Sequence, residues 1–269
     1  MADMNDTLAT NDATGNGTRK TGIRHAGKVT RGIGIFALGG ALIALVTGLL
    51  ALVLARYSIV GKLGGFRTFM MTMWPFVALT VIALVGIVIG LVRKTGVGWR
   101  NPLALLVSIV MLGIMYGQVI APARANPPMH DITTDLDQPP AFAALTLPED
   151  NLRGFENVQE WRAMHRAEYG DIRPEVIDKP PRAVLGDARA LMEERGWDIV
   201  ATDPDAGRIE AIAFAGFIRF RDYVVVEVTP VADGSTRVDM RSTSEVGVSD
   251  LGYNAARVRE FLLALRSVD

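Results

Sequence analysis

Residues 32–55 read GIGIFALGGALIALVTGLLALVLA, 24 positions without a charged side chain between Arg31 and Arg56. At about 1.5 Å of rise per residue, such a helix crosses a hydrocarbon core of about 30 Å. The run is too long and begins too late for an ordinary cleaved signal peptide. It is read as a membrane helix, and that reading sets the plan on either side of it. Thr68 to Val92 is a second uncharged run, with Trp74 near one edge and its apolar core from Pro75. Asn101-Pro102 offers an N-cap and first-turn pair for a third, which continues to Ala121 before Pro122. The predicted spans are 32–55, 73–92 and 102–121, an α-helical bundle with the lipid bilayer as its solvent.

Basic residues set the orientation. Arg19, Lys20, Arg24, Lys28 and Arg31 precede the first span, and Arg93, Lys94 and Arg100 fill the second loop. The other side carries Arg56, Lys62, Arg67 and Arg124. The bias places the N-terminus in the cytoplasm and residues 122–269 outside, which in a Gram-negative cell is the periplasm. Residues 1–31, polar and rich in Asn, Thr and Gly, read as a disordered cytoplasmic tail. The spans hold no ionisable group of the kind that transport and proton relay use. They hold small residues four apart instead: Gly40, Ala44 and Gly48, then Gly86 and Gly90, then Gly113 and Gly117. Such spacing lets helices approach closely. Packing among the chain's own three helices is preferred to an oligomer interface.

The net charge of −1 conceals two environments: eleven Lys/Arg against three Asp up to Ala123, then 17 Lys/Arg against 26 Asp/Glu. The acidic half lacks the basic footprint that nucleic acid requires. The chain has no cysteine, which excludes disulfides and thiolate chemistry.

The outer half is patterned as α+β. Phe155, Val158, Arg162, His165 and Tyr169 recur at helical spacing, with His165 as a packing residue. Pro180-Pro181 opens a second helix striped by Val184, Leu185, Ala188, Leu191 and Met192, ended by Gly196. Trp197, Ile199 and Ala201 alternate as a strand, and a turn at 203–207 leads to another from Arg208 to Phe214. Gly216 and the Arg221-Asp222 corner break that run before Tyr223 to Thr229. A turn at 232–235 then returns the chain as Thr236 to Val246, and Leu251, Ala255, Val258, Leu262 and Leu265 mark a final helix. The prediction is a four-stranded antiparallel sheet with helices packed on one face.

The stretch RVDMRSTSEVGVSDLGYNAARVREFL, residues 237–262, resembles the C-terminal signature of a bacterial and plastid family, domain of unknown function 1499 (DUF1499). The signature positions are Arg241, Ser242, Ser244, Gly247, Ser249, Asp250, Gly252, Asn254 and Arg257; Glu245 stands at the family's usual Arg. The family's opening segment is similar to HDITTDLDQPPAF, with Asp131, Thr134, Asp135, Pro139, Pro140 and Phe142 in the matching places. The resemblance covers about Pro128 to Leu265. It implies the α+β fold behind membrane helices and assigns no reaction.

Two polar clusters invite a functional reading. His130, Asp131, Asp135 and Asp137 lie between the proline pairs of residues 127–142, where aspartates could chelate a hard cation if the loop curled. Proline pairs favour extended backbone and threonines beside aspartates satisfy turns, so a structural strap, pairing with the sheet edge, is the preferred reading. In the second cluster, Ser249 or Asp250 is placed to cap the last helix, and Arg257 to reach an acid such as Asp131 or Asp135. The sharper alternative has Arg241 and Arg257 clamping an anion, with Ser242, Ser244 and Asn254 completing the pocket. A hydrolase on this cluster would need a base beside a serine, and no Gly-x-Ser-x-Gly elbow or His-Glu-x-x-His helix is present. No catalytic residue, metal ligand or cofactor is assigned. The expected role is a non-catalytic envelope domain that binds a small or lipidic ligand or a partner protein.

Overall fold

A computed structural model describes residues 27–268. The tail to residue 26, with Arg19, Lys20, Arg24 and His25, lies outside them. Helix α1 spans Lys28–Arg56, so the last residues assigned to the tail form its first turn. Helices α2 (Lys62–Met71) and α3 (Met73–Val92) run on from one another. Helix α4 (Arg100–Met115) continues through a wide turn at Tyr116–Ile120 into α5 (Ala121–Ala125). Among the described residues these make three helical rods long and apolar enough to cross a membrane, Lys28–Arg56, Lys62–Val92 and Arg100–Ala125.

Two prolines explain where the rods depart from the sequence pattern. Pro75 has no N–H for the carbonyl of Met71, and its ring crowds that carbonyl; the chain tightens at Thr72, whose hydroxyl donates to Phe69 O at 2.7 Å. Pro122 meets the same problem, and the wide turn before it, with Ala121 N–H reaching back to Tyr116 O, lets the helix pass Pro122 and end at Ala125. Asn101 is not an N-cap: Trp99 holds that place. Its amide, 1% exposed, instead donates to Thr30 O at 3.0 Å and Val97 O at 3.1 Å, which fastens α4 to α1. Gly86 makes the room, since a Cβ there would stand 2.5 Å from Asn101 Oδ1. Gly40, Gly48 and Gly90 likewise face neighbours within the bundle, whereas Gly113 and Gly117 face open space.

The second half is built on an antiparallel sheet of six strands among the described residues, not four. Its path is β1 (Asp131–Thr133), β6 (Thr236–Ser244), β5 (Phe220–Pro230), β4 (Arg208–Ala215) and β3 (Asp198–Asp203), with β2 (Glu175–Ile177) beside β1 on β6. The two added strands have three residues each, too short for any alternation to register, and they are strands only because the edge of β6 pairs with them. The opening strap does join the sheet there, Asp131 opposite Thr243 and Thr133 opposite Arg241. Strand β5 starts earlier than its apolar run, and Asp222 lies in the ladder opposite Ser244 rather than at a corner.

One face of the sheet packs on α7 (Pro181–Glu194) and α8 (Tyr253–Arg266). Val224, Val226, Met240 and Ile209 meet Val184, Met192, Val258 and Phe261 in one core, each such side chain adding about 1.5–3 kcal/mol by burial. The middle of the other face is covered by the end of the strap and the residues that follow it. Glu210, buried in the middle of β4, accepts from the N–H groups of Ala143 (2.6 Å), Ala144 (3.0 Å) and Leu145 (2.8 Å), and the Phe142 ring meets Tyr223 edge-on. Helix α6 (Val158–Glu168), capped by Asn157 Oδ1 on Glu160 N–H, closes the open side of β1. The Trp161 indole N–H donates to Asp131 O at 3.0 Å, and His165 Nε2 accepts from Thr133 N–H at 3.1 Å. An edge strand whose backbone groups are used this way cannot recruit a further strand.

Candidate functional site

Alternation along β6 separates the nine candidate residues. Successive side chains of a strand point to opposite faces, so Ser242 and Ser244 face α8 while Arg241 and Thr243 face the strap. Arg241 and Arg257 therefore lie on opposite sides of the sheet, and the expected two-arginine clamp on one anion does not form.

On the helix side, the first turn of α8 carries Asn254 and Arg257 over the end of β6. Asn254 Nδ2 donates to His130 O at 2.8 Å and Ser244 Oγ at 2.9 Å. Its Oδ1 accepts from Ser242 Oγ at 2.6 Å and from Arg257 Nη1. Arg257 also donates to Ser242 Oγ at 2.9 Å and, through Nη2, to Asp222 Oδ2 at 2.6 Å. The acid that Arg257 reaches is thus Asp222, not Asp131 or Asp135. Burial pushes the Asp222 carboxyl up and the Arg257 charge opposes it. Asp250 caps the helix from two residues outside it, accepting from Gly252 and Asn254 N–H; burial raises its pKa to about 6 against those two bonds. Ser249 only steadies the turn, accepting from Leu251 N–H at 3.3 Å. Gly252 has φ 88, and Asn126 sits where its Cβ would be, so both backbone and space demand glycine there.

On the strap side, Arg241 grips Asp131 with two bonds, Nε–Oδ1 at 2.9 Å and Nη2–Oδ2 at 2.6 Å. Asn151 adds a third to the same carboxylate at 2.6 Å and accepts from Thr243 Oγ1. Further along, Arg237 bridges Asp135 (2.7 Å) and Asp239 (2.6 Å). Partial burial raises the Asp135 carboxyl, but the N–H groups of Gln138 and Asp137 together with Arg237 outweigh it and hold the pKa low. His130 is buried with neither ring nitrogen paired, and burial beside Arg153 depresses its pKa to about 4. Burial does the same to His165, also to about 4. Neither described imidazole hydrogen-bonds a serine, and among the described residues no three His, Asp or Glu gather as a metal site would require.

The signature residues thus knit one end of the domain. Asn254 and Ser244 hold the strap at His130, and Asn126, at the end of the third rod, donates to Leu251 O at 3.1 Å. Sequence reasoning missed Asp222, Asn151 and Glu210, each a lone polar residue whose partner is distant in the chain. It also missed a groove of about 500 Å³ beside α8, lined by Arg195, Trp197, Tyr253, Ala256, Arg257 and Glu260. There Trp197 stacks on Phe261 at 5.3 Å, and the guanidiniums of Arg195 and Arg257 each lie 5.9 Å from the Trp197 ring.

With this geometry in place, the chain belongs to the family described as protein of unknown function DUF1499, whose match covers residues 131–265. That range starts at the first strand and ends in α8, leaving the three apolar rods in front of the matched domain. No curated protein matches the chain.

Proposed function

We propose that this chain is an inner-membrane protein with a cytoplasmic N-terminus, whose three helices hold a non-catalytic domain in the periplasm. There the domain binds an anionic ligand, small or lipidic, in the groove beside α8. The observation that carries the reading is the Arg195 guanidinium beside the Trp197 indole ring, whose other neighbour, Arg257, is already paired with Asp222. Among the described residues no carboxylate pairs with Arg195, whose Nη2 spends its bond on the Glu260 carbonyl. A planar cation with an aromatic floor suits phosphate or carboxylate with an apolar body attached. The groove also adjoins the end of the domain nearest the rods, since the Tyr253 hydroxyl lies 3.8 Å from the place of a Gly216 Cβ. A hydrolase on Ser242 or Ser244 finds less support, because both hydroxyls are buried and bonded to Asn254.

Native mass spectrometry of the full chain, released from membranes in mild detergent, tests the proposal. A bound acidic amphiphile or metabolite is expected, lost in Arg195→Gln at unchanged melting temperature. A set of adducts unchanged by Arg195→Gln, or a chain free of adducts, would reject the groove and direct the search to a partner protein of the envelope.

A further inference from the structure

The joint between the apolar rods and the sheet domain collects positive charge. The turn between α1 and α2 meets the turn between β4 and β5. Arg56 Nη1 donates to Phe217 O at 2.6 Å and its guanidinium lies 5.0 Å from the Phe217 ring. Lys62 Nζ donates to Ile218 O at 2.9 Å and Arg56 O at 3.1 Å. Arg219 stands over the Phe214 ring at 3.9 Å, and Phe66 meets Phe220 edge-on. Lys62 has Arg56, Arg219 and Arg221 as electrostatic neighbours, against Glu245 alone on the acidic side.

Glu245 is already engaged, by Arg221 at 3.4 Å and by the Tyr223 hydroxyl at 3.2 Å. No carboxylate pairs with Arg56, Lys62 or Arg219 among the described residues. Two of these three cations are held in place by backbone carbonyls, so the charge is fixed rather than free to swing apart. Around it the surface is apolar. Phe217 is 56% exposed, and Ile59 and Leu63, in and just after the turn between α1 and α2, are exposed too. Like charges held together repel one another, and an anion seated among them relieves that repulsion. The position also runs against topology, because the bias for Lys/Arg lies on the opposite side of the bundle.

We infer that this joint binds the phosphate of an anionic phospholipid in the leaflet that faces the sheet domain, with Arg56, Lys62 and Arg219 around the headgroup and Phe217 and Ile59 among the upper acyl carbons. The inference rests on the rods crossing a bilayer. It does not depend on which way they cross or on the groove at Arg195. The lipid would join the two turns from outside and fix the height of the domain above the bilayer.

Titration of the full chain in detergent with phosphatidylglycerol and, separately, phosphatidylcholine, read by native mass spectrometry, tests it. Phosphatidylglycerol should be retained over phosphatidylcholine by well beyond the fivefold or so that one cation contributes. Arg219→Gln should lower that retention about fivefold while the chain stays folded, because among the described residues its side chain makes no hydrogen bond and gives up only the exposed contact with the Phe214 ring. Equal retention of the two lipids, or phosphatidylglycerol retention unchanged in Arg219→Gln, overturns the proposal. Retention lost in Arg195→Gln but kept in Arg219→Gln also overturns it and moves the lipid to the groove. Displacement of phosphatidylglycerol by inorganic phosphate at millimolar concentration would assign the cations to free phosphate and overturn the lipid.

Discussion

Arg241 and Asp131 are the pair on which the strap side turns. Asp131 is 2% exposed and its carboxylate is met by Arg241 through two bonds and by Asn151 through a third. Removing the arginine strands a buried charge, at a cost of about 3–5 kcal/mol. Arg241→Ala should therefore lower the unfolding midpoint sharply, and Asp131→Asn added to it should recover part of the loss. A double variant no more stable than Arg241→Ala would mean that the pair is not coupled. The histidines make a second prediction at this scale. In the fold His130 and His165 stay neutral down to about pH 4, whereas in the unfolded chain they protonate from 6.5. Protons thus favour the unfolded state, and stability falls as the pH drops from 6.5 towards 4. Asp250 acts the other way, its carboxyl taking a proton near pH 6 in the fold and at 3.8 in the unfolded chain. At pH 5 each histidine costs about 2 kcal/mol and Asp250 returns about 1. Thermal melting followed through tryptophan fluorescence should be clearly lower at pH 5 than at pH 7.5; an equal or higher midpoint at pH 5 would show that the imidazoles are not held neutral.

Among the elements, the strap and the irregular segment after it are held at one end by Arg241, Arg237 and Asn254 and over β4 by one side chain. Residues 134–157 contain no regular helix or strand, yet residues 140–145 lie over the middle of one face of the sheet, against Glu210, Tyr223 and Arg241. Their anchor on β4 is Glu210, whose oxygens take three consecutive backbone N–H groups. Glu210→Ala leaves those donors unmet on a cavity once filled by the carboxylate, for about 1–3 kcal/mol. Limited proteolysis should then cut between residues 140 and 157, while α7 and α8, packed on the other face, stay protected. Uniform loss of protection across both faces would mean that the strap is part of the cooperative core rather than a cover upon it.

For the whole molecule, the orientation across the membrane decides where the domain works. Eight basic residues on one side of the bundle against four on the other predict a cytoplasmic N-terminus. Alkaline phosphatase fused after Asp269 should be active in cells, and fused within the loop from Arg93 to Arg100 it should be inactive. The reverse pattern would place the domain in the cytoplasm and remove the envelope ligand from the argument, though the cations at the joint would then face the other leaflet.

Local chemistry determined a large part of this protein. Three apolar runs, the stripes of α7 and α8 and the alternating valines of β5 are legible because helix and strand periods act on neighbours in the chain. The separation of Arg241 from Ser242 was legible too, since adjacent strand residues must face opposite ways. Tertiary structure alone decided the rest. Strands β1 and β2 exist because β6 offers an edge, Asn101 fastens helices instead of capping one, and Arg257 found Asp222, 35 residues away. Glu210 anchors a strap 66 residues earlier in the chain, and three cations with no carboxylate partner among the described residues come together where two distant turns touch. Such partnerships depend on electrostatics and hydrogen bonding across space, and no sequence period records them.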